Sequence, residues 1–349
     1  MTPSLRDRLS NLELELEGYA LRPLEHATPA GWTRKTTVVA LQGGGLEGQG
    51  EDVTYQTPDQ DAFQAAGPVH DLRGRWTLGE LSQHLDTLAL FPAPPQDPKS
   101  TLYRRWAFES AALDLALRQA ETSLAAFCER TPRPLTYVVS LGLGSPASLA
   151  PLDALWAAHP DARLKLDADL DWTAELIAGL AATGRVACVD LKGQYTKGPF
   201  TGTPPDAALY TRVAEGLPQA WLEDPGWTPE TKAALKPHLD RVTFDAPLCS
   251  LADVEQVQPF PRCVNVKPSR FGRLDELFRV YAWCEARGVA MYGGGQFELG
   301  PGRTQIQLLA SLFHPDTPND VAPAGFNQRP LPTDLPASPL AVENPAGFR

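Results

Sequence analysis

The chain has 349 residues, 43% of them hydrophobic, and a formal charge of −11. That length suggests two domains, or one large barrel with an addition, and the acidic balance argues against a nucleic-acid or anionic-membrane partner. No apolar run is long enough to span a bilayer, residues 1–8 lack the apolar core of a signal peptide, and five widely spaced cysteines without a Cys-x-x-Cys pair point to reduced thiols in the cytoplasm.

In chain order, Leu12-Glu-Leu-Glu-Leu alternates like an edge strand, and Thr36-Thr-Val-Val-Ala-Leu-Gln reads as a second strand ending in the turn Gly43-Gly-Gly. Gly48-Gln-Gly-Glu51 starts a third extended segment. Residues 103–130 read as one helix, with Trp106, Leu113, Leu117 and Leu124 on a single face. From Tyr137 the pattern becomes strand, loop, helix, repeated. The strand at 137–143 comes first, Leu176 and Leu180 mark a helix that stops at Gly184, and Pro229 follows a Thr228 cap. Ser250 with Asp253 resembles a capping box, a helix from Leu274 closes at Gly288, a strand runs from Val289, and a helix spans 302–313. An eighth strand falls near Asp320-Val-Ala, and proline clusters at 92–98, 199–205 and 330–345 mark loops and a tail. The expected architecture is α/β: a modified (β/α)7β, TIM-like barrel over residues 131–329, an α+β capping domain over 1–130, and a tail, 330–349, packing back on the cap.

Five apolar runs within the barrel region each end in a charge: Arg163-Leu-Lys165, Val186-Ala-Cys-Val-Asp190, Ala220-Trp-Leu-Glu223, Val242-Thr-Phe-Asp245 and Cys263-Val-Asn-Val-Lys267. The charged ends recur every 22 to 33 residues, the length of a βα unit. Such runs read as parallel strands buried on both faces, and the C-terminal ends of barrel strands are where the chemistry sits. Adjacent strand ends are about 5 Å apart, so Asp190, Glu223 and Asp245 would converge. Carboxylates that close need a cation, and an all-oxygen set suits Mg²⁺. Lys165 and Lys267 flank them on opposite sides, where two amines could remove and return a proton next to a carboxylate.

Together these motifs resemble the enolase superfamily, and within it the muconate-cycloisomerase and o-succinylbenzoate-synthase-like group. Arg163-Leu-Lys165 is similar to the family's Lys-x-Lys, and Glu223-Asp-Pro225 to its Glu-Asp/Gln-Pro signature. Val264-Asn-Val-Lys267-Pro-Ser resembles its second lysine strand. Gly48-Gln-Gly-Glu51, Phe108-Glu-Ser-Ala-Ala-Leu-Asp-Leu and Gly293-Gly-Gly-Gln-Phe-Glu298 resemble its cap turn, cap helix and glycine strand. The resemblance implies Mg²⁺ on Asp190, Glu223 and Asp245, with Lys165 and Lys267 catalytic and a small carboxylic acid as substrate. The reaction would be a lyase or isomerase reaction through a metal-stabilised enediolate: o-succinylbenzoate synthesis, racemisation, epimerisation or cycloisomerisation. Loops of the cap near residues 22–32 and 43–52 would cover the site.

The pattern departs from the family at two places. Arg163 replaces a lysine and is no plausible base, and Asp190-Leu-Lys192 stands where the family has Asp-x-Asn. Strand alternation would point Lys192 at the carboxylates, with Asp167 as a partner, so a rival reading makes Lys192 an internal cation in place of Mg²⁺. Arg163, Asp167, Lys192 and Glu298 are therefore expected to bind substrate or modulate the site. A third reading is a non-catalytic barrel that binds a small acid or a partner protein, and a homo-oligomer is left open.

Overall fold

The computed structural model describes residues 4–28, 31–195 and 202–349. Strands β1 (Glu13–Leu16) and β5 (Gly74–Thr77) form an antiparallel pair. β2 (Gly18–Ala27), β3 (Thr33–Gly43) and β4 (Leu46–Asp52) form an antiparallel meander. β2 and the long β2–β3 hairpin were not expected. Residues 22–27, anticipated as loop, are strand, and residues 29–30 of that segment lie outside the described residues.

β4 lies directly on the helix Ser100–Gln119. A Cβ at Gly48 would stand 2.3 Å from the Ala111 carbonyl oxygen, and one at Gly50 would stand 2.1 Å from that of Ala107. Only glycine allows this approach, which is the physical content of the Gly-Gln-Gly-Glu turn. The helix is buried on almost every side rather than along one stripe. It stops at Gln119, short of the expected 130, because Glu121 adopts a left-handed backbone and Ser123 caps a separate short helix, Leu124–Cys128.

The barrel strands are β6 (Val139–Gly142), β7 (Leu164–Asp167), β8 (Val186–Asp190), β9 (Trp221–Glu223), β10 (Val242–Thr243), β11 (Cys263–Val266) and β12 (Ala290–Gly293). β6 to β10 form one parallel sheet in sequence order, and β11 pairs parallel with β12. The ladder is not continuous around the ring. A backbone hydrogen bond from Asn265 to Phe244 spans one gap, and at the other Asp320 and Asn319 bridge to Gly294 and Tyr137. The eighth strand is reduced to those bridges. Helices follow the expected caps at Thr228 and Ser250, which accept from the first turn, and Thr173 caps a third; Gly184 and Gly288 close helices in the left-handed conformation.

Cap and barrel are tied by buried polar groups. Arg34 donates to the carbonyls of Val53 and Thr54 in the cap and of Gln296 and Phe297 beyond β12. Glu51 accepts from the amides of Leu299, Gly300 and Gly302, at the start of the helix Pro301–Phe313. Leu340 bridges to Leu135, and Phe348 reaches Trp106 and donates its amide to Asp114. All five cysteines are unpaired, and no helix among the described residues is long and apolar enough to cross a membrane.

Candidate functional site

Charged groups gather at the C-terminal ends of β7 to β11. Asp190 ends β8 and Glu223 ends β9, while Asp245 lies two residues past β10 and Lys267 one past β11; Lys165 lies inside β7. All five are buried. Uncompensated charges could not stay there, and each is in fact paired. Lys165 Nζ stands 2.6 Å from Glu223 Oε1 and 3.4 Å from Asp320. Lys267 Nζ is 2.9 Å from Asp245 Oδ2. Lys192 Nζ is 2.6 Å from Asp190 Oδ2 and 3.1 Å from Asp167.

Four residues that strand periodicity does not single out complete the group. Tyr292, on β12, donates its hydroxyl to Glu223 Oε2. Tyr195 donates to Asp245 Oδ2 at 3.0 Å, and Arg270 reaches the same oxygen at 3.3 Å. Asp224 faces the opposite way along the chain from Glu223 and accepts the amides of Asp245 and Ala246. Arg270 lies on a helical turn and Tyr195 in a loop, where the alternation of a strand gives no signal. Asp224 was visible in the Glu-Asp-Pro motif but had no role there. Asn265 adds a buried carboxamide with no hydrogen-bond partner among the described residues.

Two expected residues are not brought into the group. Arg163 is exposed just ahead of β7, which begins at Leu164. Glu298 is buried, but it accepts the Gln296 amide and pairs with Arg303, so it serves its own turn and the helix behind it. Lys192 does reach Asp190, though not by strand alternation: β8 ends at Asp190, and Lys192 turns back through a left-handed backbone of φ 52°. Asp224 and Phe297 share that conformation. Positions of this kind in non-glycine residues cluster at functional sites.

The electrostatics follow from burial and pairing. Burial alone would lower the Lys165 pKa, but Glu223, Asp320 and Asp190 outweigh it and hold the ammonium well above its ordinary range. Burial likewise opposes the charge on Lys192, and Asp190 and Asp167 more than restore it. Burial lifts Glu223 to about 7 against the pull of Lys165. Asp224 is raised well above the carboxylate range by burial and by Asp245, Asp190 and Glu223. For Asp245, burial is overcome by Arg270, Lys267 and Lys165, and the carboxyl is held below its usual value. The carboxylate neighbours of Lys165 thus keep it charged.

Oxygens of Asp190, Glu223 and Asp224 lie within 4.8 Å of one another, a spacing that could hold a metal ion; Asp245 is not in that group. The donor set is already used, however. Asp190 accepts the Lys192 amide at 2.9 Å on one oxygen and the Lys192 ammonium on the other. Glu223 accepts Lys165 on one oxygen and Tyr292 on the other. Asp224 spends both on backbone amides. A divalent ion at these residues would have to break those bonds and sit beside ammonium groups, so the arrangement does not fit Mg²⁺.

His26 of β2 and Trp32, just ahead of β3, pack edge-on against Phe297, with ring centroids 6.1 Å apart in each pair. A hairpin end, not an irregular loop, therefore meets the segment beyond β12.

Models of a domain of unknown function, DUF8230, match this chain over residues 7–127 (N-terminal domain) and 131–328 (C-terminal domain). An o-succinylbenzoate synthase of Bacillus subtilis is 32% identical over 91 residues, which is 25% of this chain and 24% of that protein. The chain thus aligns with only about a quarter of that relative's length. An N-succinylamino acid racemase of Amycolatopsis sp is 25% identical over 281 residues, covering 79% of this chain and 75% of that one. Among solved structures, a member of the enolase superfamily from Listeria innocua superposes with a TM-score of 0.67 at 17% identity, over 89% of this chain and 86% of its own.

Proposed function

Because this chain belongs to the DUF8230 family and has the enolase-superfamily fold, we propose that it is a lyase or isomerase acting at the carbon next to a substrate carboxylate. The observation that carries this reading is the pair of buried lysines, Lys165 and Lys267, set on separate strands with the carboxylates between them. A C–H bond beside a carboxylate is weakly acidic, and two amines on opposite sides of it can take the proton from one face and supply it to the other.

The two lysines are not equivalent. Lys165 rests as an ammonium behind Glu223. It is the group that supplies a proton or positive charge to the enediolate formed when the carbon loses its proton. Lys267, as the neutral amine left when its own proton passes to solvent, is the group that takes that proton. Its present partner, Asp245, is also held on Oδ2 by Arg270 and Tyr195 and so stays paired when Lys267 turns to the substrate. The buried Asn265 carboxamide, two residues before Lys267 on the same side of β11, is free to bond a polar atom of the substrate. A dry, preorganised site makes each of these interactions stronger than in water.

The relatives' names favour acids of two kinds, N-succinylamino acids and precursors of o-succinylbenzoate. Five unpaired cysteines fit a cytoplasmic setting. The test is proton–deuteron exchange in D₂O, followed by NMR on a panel of such acids. Wild-type protein should exchange the α-proton of at least one. Lys165→Ala and Lys267→Ala should each slow that exchange by about 10²-fold or more, the range of general acid–base catalysis. Full exchange in either variant would remove that lysine from the mechanism, and no exchange with any acid would favour a non-catalytic binding barrel.

A further inference from the structure

We propose that the Lys192 ammonium is the resident cation of this site, bound where a divalent ion would otherwise sit, and that it holds the substrate carboxylate itself. The inference deepens the proton-transfer reading above and rests on it for the identity of the ligand; the occupancy of the cation position stands apart from it.

Four observations converge on Lys192. Both oxygens of Asp190 are committed to it, one through its backbone amide at 2.9 Å and one through its ammonium at 2.6 Å. Asp167, at the end of β7, supplies a second carboxylate at 3.1 Å. The third is the residue's left-handed backbone, which a lysine keeps only where surrounding bonds impose it. The Tyr195 ring lies under the ammonium, 5.2 Å to its centroid, and the Tyr195 hydroxyl is itself fixed on Asp245. The ammonium is therefore positioned from three strands at once.

An ammonium has three N–H donors. One donates to Asp190 and the ammonium lies within ion-pair range of Asp167, which leaves a donor without a hydrogen-bond partner among the described residues. The Lys192 side chain is 29% exposed, against 3% for Lys165, so that remaining donor can meet an incoming anion. Lys165 faces Glu223 and Asp320 from inside the barrel and cannot take this role without leaving them. Asp245, expected as a metal ligand, has its Oδ2 taken by Lys267, Arg270 and Tyr195, while its Oδ1 has no hydrogen-bond partner among the described residues. A carboxylate substrate would thus meet a single fixed positive charge on a short tether.

The experiment titrates Mn²⁺ into the purified full-length chain and follows free Mn²⁺ by EPR, for wild type, Lys192→Asn, Lys192→Gln, Lys192→Arg and the double variant Asp190→Asn/Lys192→Asn. Circular dichroism and thermal melts report folding of each. Wild type and Lys192→Arg should bind no stoichiometric Mn²⁺. Lys192→Asn and Lys192→Gln should bind one ion per chain at least tenfold more tightly than wild type, and the double variant should lose it. One stoichiometric Mn²⁺ per wild-type chain would overturn the proposal. So would folded Lys192→Asn and Lys192→Gln proteins that both bind none. Where an exchanging acid is found, wild-type exchange should be unchanged by EDTA, whereas loss of exchange on chelation overturns the proposal. Failure of the whole acid panel would count against the proton-transfer reading alone, because the Mn²⁺ result needs no substrate.

Discussion

His314 caps the end of the helix Pro301–Phe313 and is buried with its Nδ1 2.6 Å from Asn319 Oδ1. Its Nε2 has no hydrogen-bond partner. Burial pushes the imidazole down to about 4 from its usual 6.5. The folded chain therefore binds fewer protons than the unfolded one between those values. The stabilising neutral form is fully present above pH 6.5, and its contribution falls as the pH drops toward 4, by about 3 kcal/mol. Urea midpoints measured from pH 7 to pH 4 should show that loss, and His314→Gln should flatten it. An unchanged pH slope in the variant would assign the loss to other groups. Glu223 works in the opposite sense. Its carboxyl is held up to about 7, so its contribution to stability declines as the pH rises from 4.5 to 7. Neither residue's titration was visible in the sequence. The placement of Lys165, Asp190, Glu223 and Lys267 in or beside barrel strands was, because an apolar run broken by one charge is a local pattern. The partners that set the charge states come from elsewhere in the chain. Glu223 and Tyr292 are 69 residues apart, Asp245 and Tyr195 are 50 apart, and no local periodicity links them.

Elements explain why the cap and barrel meet as they do. β4 ends in Glu51, whose carboxylate takes three amides at the start of the helix Pro301–Phe313. Those amides have no partner within the helix, and the positive end of the helix favours a negative charge there. Burial and the neighbouring Glu298 nevertheless raise the Glu51 pKa. Glu51→Gln keeps one acceptor oxygen but replaces the other with a donor that faces an amide. The expected cost is about 1–3 kcal/mol, the range for a buried group left unsatisfied, seen as a lower urea midpoint. A midpoint equal to wild type would mean that this junction adds nothing to stability. The Gly-Gln-Gly-Glu pattern was readable from sequence, and so were the caps at Thr228 and Ser250, since each is a short-range rule. The contact of Glu51 with a helix 248 residues away was not. Nor was the break after Gln119, where an apolar position at Leu124 continued the helical spacing across a turn.

At the scale of the molecule, the proline-rich segment after residue 330 is held by a few fixed points rather than by regular structure. Leu340 bridges to Leu135 beside the barrel, Gly347 accepts the amide of Leu124, and Phe348 is fully buried against Trp106. Asp114 fixes this end by accepting the Phe348 amide and pairing with Arg349. Phe348→Ala empties an aromatic site in the cap core and should cost about 3–5 kcal/mol, read as a lower Tm. A Tm within error of wild type would show that the tail is dispensable to the cap. Composition alone marked this tail as irregular, and its path could not be read, since proline-rich sequence carries no repeat that points to a face. Strands β7 to β11 of the barrel carried their own signal, each as an apolar run closed by a charge.

The position of Phe348 has a consequence for how this protein is made. The cap leaves the ribosome before the barrel, yet the side chain that fills the space beside Trp106 emerges only after the whole barrel. During synthesis the cap must wait with that part of its interior open to water. A nascent chain halted before residue 340 should therefore be cut by protease within the cap far faster than the finished protein.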